Sequence, residues 1–233
     1  MSARHSRLPG VEALTLTLAL AAGCAPLTAP LPFHLAETAT PLQRGELRAT
    51  AAGGAGVLGL DGAGGGGAAR LRIGVGRRQE VGVEGELLRV DTGRPDDKSP
   101  RWIGKSFTYG LKLSWKGAPT DWFAVIAGAG AMHAATGESA GADLAIVFSR
   151  PTGIVRPYAG LRGTIAFPVS RPLDDAGGVS GGLVVPGGLS LHFASNYDLF
   201  IEGGWAQLWS DSGQHSHGGG GYALLAFAFA FAP

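Results

Sequence analysis

From residue 47 to the C-terminal end, apolar and polar side chains alternate with a period of two, and clusters of Gly, Pro, Asp and Ser interrupt the alternation. SFTYGLKLSWKG carries it without exception: Phe107, Tyr109, Leu111, Leu113 and Trp115 share one face, and Ser106, Thr108, Gly110, Lys112 and Ser114 share the other. Neighbouring side chains of a strand point to opposite faces, so this spacing predicts strands that are apolar on one side. VRPYAGLRGTIAF repeats the pattern, with Val155, Leu161, Ile165 and Phe167 set against Arg156, Tyr158, Arg162 and Thr164. No capped helical pattern competes with it after residue 47. Ten strands are predicted, near 48–60, 68–76, 80–91, 105–116, 121–132, 140–149, 155–167, 181–194, 197–210 and 219–232. The first, LRATAAGGAGVLGL, alternates poorly, which leaves eight strands as the alternative.

The connections come in two kinds that alternate along the chain. GRRQ, KGAPT, RPTG and ASNYD read as tight turns, and DTGRPDDKSPRW, HAATGES, PVSRPLDDAGGVSG and SDSGQHSHGGGG read as longer loops. Turns then gather at one end and loops at the other. The expected fold class is all-β, a closed antiparallel up-and-down barrel of transmembrane type.

Volume decides which face points outward. Phe107, Tyr109, Trp115, Trp205, Trp209, Phe227, Phe229 and Phe231 are too bulky to share the lumen of a small barrel. Turning them inward also leaves Gly and Ala facing water, where a soluble protein carries charge. They are expected to face lipid. The last strand, GYALLAFAFAFAP, then gives Ala226, Ala228 and Ala230 to a cramped interior. Its apolar stretch matches the about 9–11 residues of a tilted spanning strand.

With RRQ as the first hairpin loop, Val75 faces Val81 and Ile73 faces Val83 on the outer side. The same register sets Arg72 opposite Glu84 and Arg70 opposite Glu86 in the lumen. Opposed unlike charges support strand pairing, and charge in a closed lumen must be paired because lone buried charge is costly. Such a lumen is filled rather than open.

The chain has 40 Gly, one Cys and a formal net charge of +1. That balance excludes the clustered basic footprint of a nucleic-acid partner. No run of about 20 apolar residues offers a spanning helix. At the N-terminus, Arg4 and Arg7 precede the short apolar core ALTLTLALAAG, so residues 1–23 read as a signal peptide. LAAGC, ending in the single Cys24, resembles the lipobox of bacterial lipoproteins, and that resemblance implies acylation at Cys24. One cysteine allows no internal disulfide. Residues 24–46, Pro- and Thr-rich without sustained periodicity, read as a tether, and 47–233 as the barrel.

RPYAGLRGTIAF resembles the PY-x-G-x-G-x-G strand of the OmpA/OmpX/OmpW-like outer-membrane barrels, and GGLSLHFASNYDLFIEGGWAQL is similar to their penultimate hairpin. Arg162 replaces a glycine of that pattern, and the chain ends in Pro233 rather than in an aromatic residue. The resemblance implies the bacterial outer membrane with periplasmic termini, contact with membrane lipid and lipopolysaccharide, and insertion by barrel-assembly machinery.

Three clusters are candidates for chemistry. Pairing Phe193 with Leu199 sets Ser190 opposite Glu202, with His192 diagonal to it. Ser, His and a carboxylate are the parts of a hydrolytic site, and lipid A deacylases, which are small barrels, use them. Their His-x-Ser spacing is absent here, since Ser195 stands three residues after His192 and on the opposite face. A lumen hydrogen-bond network is the expected role. His215, His217 and Asp211 sit in a Gly-rich loop, which fixes too little for a metal that needs three or four ligands in set geometry. Arg94, Asp96 and Asp97 recur as Arg171, Asp174 and Asp175 in a second loop. They read as solvated loop charge; in the alternative, the four aspartates gather divalent cations beside lipopolysaccharide phosphates while Arg94 and Arg171 contact those phosphates directly.

The expected function is structural or adhesive, carried by loops on a rigid scaffold, in a monomer with neither catalysis nor a cofactor. The extracellular partner is not specified. The alternatives are a narrow pore for ions or small solutes, a membrane-embedded lipid hydrolase, and a lipid-tethered soluble barrel of lipocalin type.

Overall fold

The computed structural model describes residues 35–58, 62–91, 106–134, 137–170, 178–193, 196–210 and 216–231. Its strands are β1 (Leu47–Leu58), β2 (Gly62–Gly76), β3 (Gln79–Asp91), β4 (Ser106–Gly117), β5 (Phe123–Ala134), β6 (Gly137–Ser149), β7 (Val155–Ser170), β8 (Ser180–Phe193), β9 (Tyr197–Ser210) and β10 (Ser216–Phe231). Each pairs antiparallel with the next, and β1 pairs with β10 to close the barrel. The fold is a ten-stranded up-and-down barrel. Eight strands fall short because β1 is fully paired despite its weak alternation: Ala51 faces Ala69, Gly53 faces Gly67 and Ala55 faces Gly65. Small residues on both faces hide a strand from a hydropathy reading, and here they also let walls approach. A Cβ at Gly54 would stand 2.6 Å from the Ala223 carbonyl oxygen and from Leu224 Cβ.

Burial follows the two-residue period. Phe107, Leu111 and Leu113 are 60%, 60% and 67% exposed on the outside of β4, while Thr108, Lys112, Ser114 and Lys116 are buried inside it. Tyr109, Trp115, Phe227 and Phe231 also point outward and are exposed. Phe229 is half-buried on the same face, between the rings of Tyr197 at 4.8 Å and Phe231 at 5.5 Å. A second aromatic group, Trp122, Phe123 and Phe148, lies at the same end of the barrel. Large apolar side chains outside and charges inside are the reverse of a soluble barrel.

The tight connections 77–78, 118–122 and 150–154 share one end, where β8 also closes on β9 through the Phe193–Tyr197 pair. The connection after β5 lies at the other end and is two residues long, not a long loop, because β5 and β6 stay paired to Ala134 and Gly137.

Two hairpin registers differ from the expected ones by two residues. Gly76 pairs with Gln79 around a turn of Arg77 and Arg78, Arg78 adopts φ 65°, and a bulge between Gly74 and Gly76 absorbs the offset. Ile73 therefore faces Val81, and Arg70 faces Glu84 instead of Glu86. Arg72 stands opposite Gly82, and Glu86 opposite Ala68. In β8–β9, pairing continues down to Phe193 with Tyr197, so Ser190 faces Phe200 and Glu202 faces Gly188. A shift of two preserves which face each side chain takes, and only the partners change.

Candidate functional site: a charged plug in the lumen

Of residues 35–46, the described part of the expected tether, 35–42 lie inside the barrel, and Gln43 and Arg44 are exposed at the turn end. Leu35, Ala36, Glu37, Thr38, Ala39 and Leu42 are all buried. Tether-like composition gave no sign of this, because the plug is held through backbone groups and one carboxylate rather than through an amphipathic pattern. It leaves β1 at the turn end, where Gly45 N donates to Gly74 O at 2.8 Å and Gly74 N donates to Glu46 O at 2.9 Å. A Cβ at Gly74 would collide with the Gln43 carbonyl oxygen, so only glycine admits this approach.

Wall side chains catch the plug as it climbs. Leu42 N donates to Glu80 Oε1 at 2.8 Å, Lys116 Nζ donates to Thr40 O at 3.1 Å, and Ala39 N donates to Ser149 Oγ at 2.8 Å. Higher up, Leu35 N donates to Glu202 Oε1 at 2.9 Å, and Ala36 N donates to Glu202 Oε2. Glu202 also accepts from the hydroxyls of Tyr158 and Tyr222, each at 2.9 Å. Four donors on one carboxylate satisfy a buried charge that is otherwise expensive. Glu202 is an anchor for the plug. The expected Ser190–Glu202 cluster does not form.

Glu37 is the centre of the arrangement. It is 2% exposed, and Arg72 Nε at 2.9 Å, Lys116 Nζ at 3.0 Å, Arg70 Nη1 at 3.1 Å and Arg48 Nη1 at 3.7 Å surround it. Burial alone raises its pKa, but the cations of Lys116, Arg72, Arg70 and Arg48 hold it far below the usual carboxylate range. Arg72, expected to meet Glu84, meets the plug instead. Arg70 bridges wall and plug, pairing with Glu84 while donating to the Leu35 carbonyl at 2.9 Å. From Glu84 the network crosses the lumen: Lys112 Nζ lies 3.7 Å from Glu84 and 3.6 Å from Asp143, and Arg162 Nη2 lies 2.8 Å from Asp143. Beside the charges, Leu35, Ala36 and Ala39 pack on Ala124, Ile126, Val147, Phe200 and Ala226.

The remaining candidates fall elsewhere. Ser190 Oγ donates to Asp198 Oδ1 at 3.3 Å, and His192 Nδ1 lies 2.9 Å from the same oxygen. Serine and histidine thus meet the same carboxylate oxygen, an arrangement that ties β8 to β9. Asp198 was missed because the expected register put Glu202 in its place. Cys24, Arg94, Asp96, Asp97, Arg171, Asp174, Asp175, Ser195, Asp211 and His215 lie outside the described residues. His217 pairs with Trp209 in the β9–β10 ladder. Glu37 and Glu202 as a plug-holding pair had no signal beyond a lone acid in an otherwise apolar stretch.

No protein-family model matches the chain, and no curated protein matches it. Similar solved structures exist. One is the translocator domain of the autotransporter NalP from Neisseria meningitidis, with 11% identity, coverage of 80% of this chain and 88% of that one, and a TM-score of 0.42. The KdgM porin is similar at 12% identity over 78% and 99% of the chains, with a TM-score of 0.37. Ail, the attachment invasion locus protein of Yersinia pestis, is similar at 11% identity over 81% and 100%, with a TM-score of 0.36. These are likenesses of architecture between chains with a translocator's, a porin's and an attachment protein's names, and they assign none of those roles here.

Proposed function

We infer that this chain is a bacterial outer-membrane β-barrel, closed to permeation by its own N-terminal segment, that serves as a structural or adhesive scaffold. The observation that carries the reading is the pairing of two faces. A continuous belt of exposed apolar side chains suits lipid, and the lumen behind it is filled by buried ion pairs and a peptide plug. Exposed apolar surface on this scale has no place on a soluble monomer. The turn end faces the periplasm in this reading, and the opposite connections carry recognition. Its surroundings are membrane lipid and lipopolysaccharide, reached through barrel-assembly machinery, and Cys24 is a site of acylation.

Two measurements test it. Unboiled protein extracted in detergent is expected to migrate faster on a gel than boiled protein, and in planar bilayers it is expected to conduct little. Extraction by carbonate alone would sink the membrane assignment. A steady open-channel conductance would leave the barrel standing and replace the scaffold with a pore.

A further inference from the structure

Above the plug, away from the turn end, the lumen holds a cavity of about 150 Å3. The sequence accounts for it. Inward positions 52, 54 and 56 of β1 and 64, 66 and 68 of β2 are all Gly or Ala, so this part of the wall carries nothing larger than a methyl group. Leu88 of β3 and Leu224 of β10 flank it, and the lining is mostly apolar.

Glu86 is the acid that enters this lining. It is 7% exposed, and its Oε2 has no hydrogen-bond partner among the described residues. Its ladder neighbours, Ala68 and Gly110, have no side-chain donor to offer. Arg70 is engaged with Glu84 and Glu37, and Lys112 lies between Glu84 and Asp143. Arg89 also borders the cavity, but its guanidinium lies over the Phe107 ring on the outer face. The Tyr222 hydroxyl donates to Glu202. A buried carboxylate oxygen without a donor is costly.

We propose that this cavity is a binding site for a small monoamine, whose hydrocarbon body fills the apolar part and whose ammonium group pairs with Glu86. A dry apolar cavity of about 150 Å3 holds a molecule of roughly benzene's bulk, which sets the size of the body. One ammonium supplies the missing donor and a countercharge together, and such charge-assisted bonds are the strong ones. A neutral alcohol of the same shape supplies the donor and leaves the acid without a counterion. A second charged group, as in a diamine or an amino acid, would be buried against Gly, Ala and Leu without a partner. The site goes beyond the scaffold reading and does not depend on it.

The test uses the full-length chain folded in detergent, titrated at neutral pH with cyclohexylamine and with cyclohexanol, its uncharged counterpart of matching shape. Calorimetry reads the affinities, and the thermal midpoint reads the stabilisation that binding brings. Cyclohexylamine is expected to raise the midpoint and to bind about tenfold or more tightly than cyclohexanol. Glu86→Gln keeps the side chain's shape and removes its charge, and the preference for the amine is expected to vanish with it. Without ligand, the variant should keep the heat-dependent gel shift at an unchanged or higher midpoint, because it removes an unpaired buried charge. A lowered midpoint, or a variant that does not fold, would mean that Glu86 is paired within the protein and would overturn the proposal. Equal affinity for amine and alcohol, amine binding that survives Glu86→Gln, or no binding of either compound to the parent would each overturn it as well.

Discussion

Glu37 of the plug and Arg72 of β2 meet at 2.9 Å, both 2% exposed, although thirty-five positions separate them in the sequence. Arg72 lies opposite Gly82 on β3, so the plug supplies the anion that its own wall lacks. The same carboxylate serves Lys116 and Arg70. Glu37→Ala would leave these cations buried around an empty centre, and breaking buried pairs in this way costs about 3–5 kcal/mol. The expected result is a lowered thermal midpoint in detergent, followed by loss of the unboiled gel shift, with bilayer conductance rising above that of the parent. Unchanged stability would mean that the plug is a passive filling.

The pH dependence follows from the sign of the shift. The Glu37 carboxyl titrates lower in the folded protein than in the unfolded chain. Its contribution is therefore complete above the unfolded pKa, shrinks as pH falls below about 4 to 5, and vanishes only below the folded value. The difference in thermal midpoint between the parent and Glu37→Gln should stay constant from pH 8 to pH 5 and narrow under stronger acid. A difference that widened on acidification would contradict the arrangement.

Glu202 receives two phenols and two backbone amides. Tyr158→Phe and Tyr222→Phe each remove one donor to a carboxylate, for an expected loss of about 1.5–3 kcal/mol apiece. Because both serve one carboxylate, the double variant should depart from the sum of the singles by about 0.5 kcal/mol or more in a double-mutant cycle. Strict additivity would mean that the two hydroxyls act independently.

Leu113 is 67% exposed on the outer face of β4. Arginine at a midplane position on the lipid side of a barrel costs about 2–4 kcal/mol, so Leu113→Arg should destabilise the barrel in bilayers by that order. Ser114→Ala, one residue away on the lumen side, is the control. If Leu113→Arg is neutral in lipid and improves solubility without detergent, the outer face is not a membrane face.

The outward and inward faces were legible in the sequence wherever bulky and polar residues alternate, as in β4 and β7. The glycine and alanine of β1 carry almost no hydropathy contrast, and β1 is recognised by its pairing instead. Both hairpins kept their faces and lost their partners. Parity is written in the side chains, whereas register depends on the Arg78 turn and the bulge beside it, and on pairing carried down to Tyr197. The plug was the least legible part. Its contacts come from backbone amides and from wall residues far away in sequence, and nothing local separates Glu37 from a solvated acid in a linker.

A closed ring of ten strands with a peptide inside also constrains the order of events during biogenesis. The plug is continuous with β1, and the β1–β10 seam joins the first strand to the last. Threading residues 35–46 into a finished cylinder would mean forcing the segment past the buried Lys116–Glu80 pair, 3.1 Å apart near the turn end, with its backbone donors unpaired until they reached Ser149 and Glu202. Capture while the seam is still open avoids that barrier. The clustered arginines of β1 and β2 then become an early docking point, and the final zipping of β10 against β1 becomes the irreversible step that seals the chain around its own beginning.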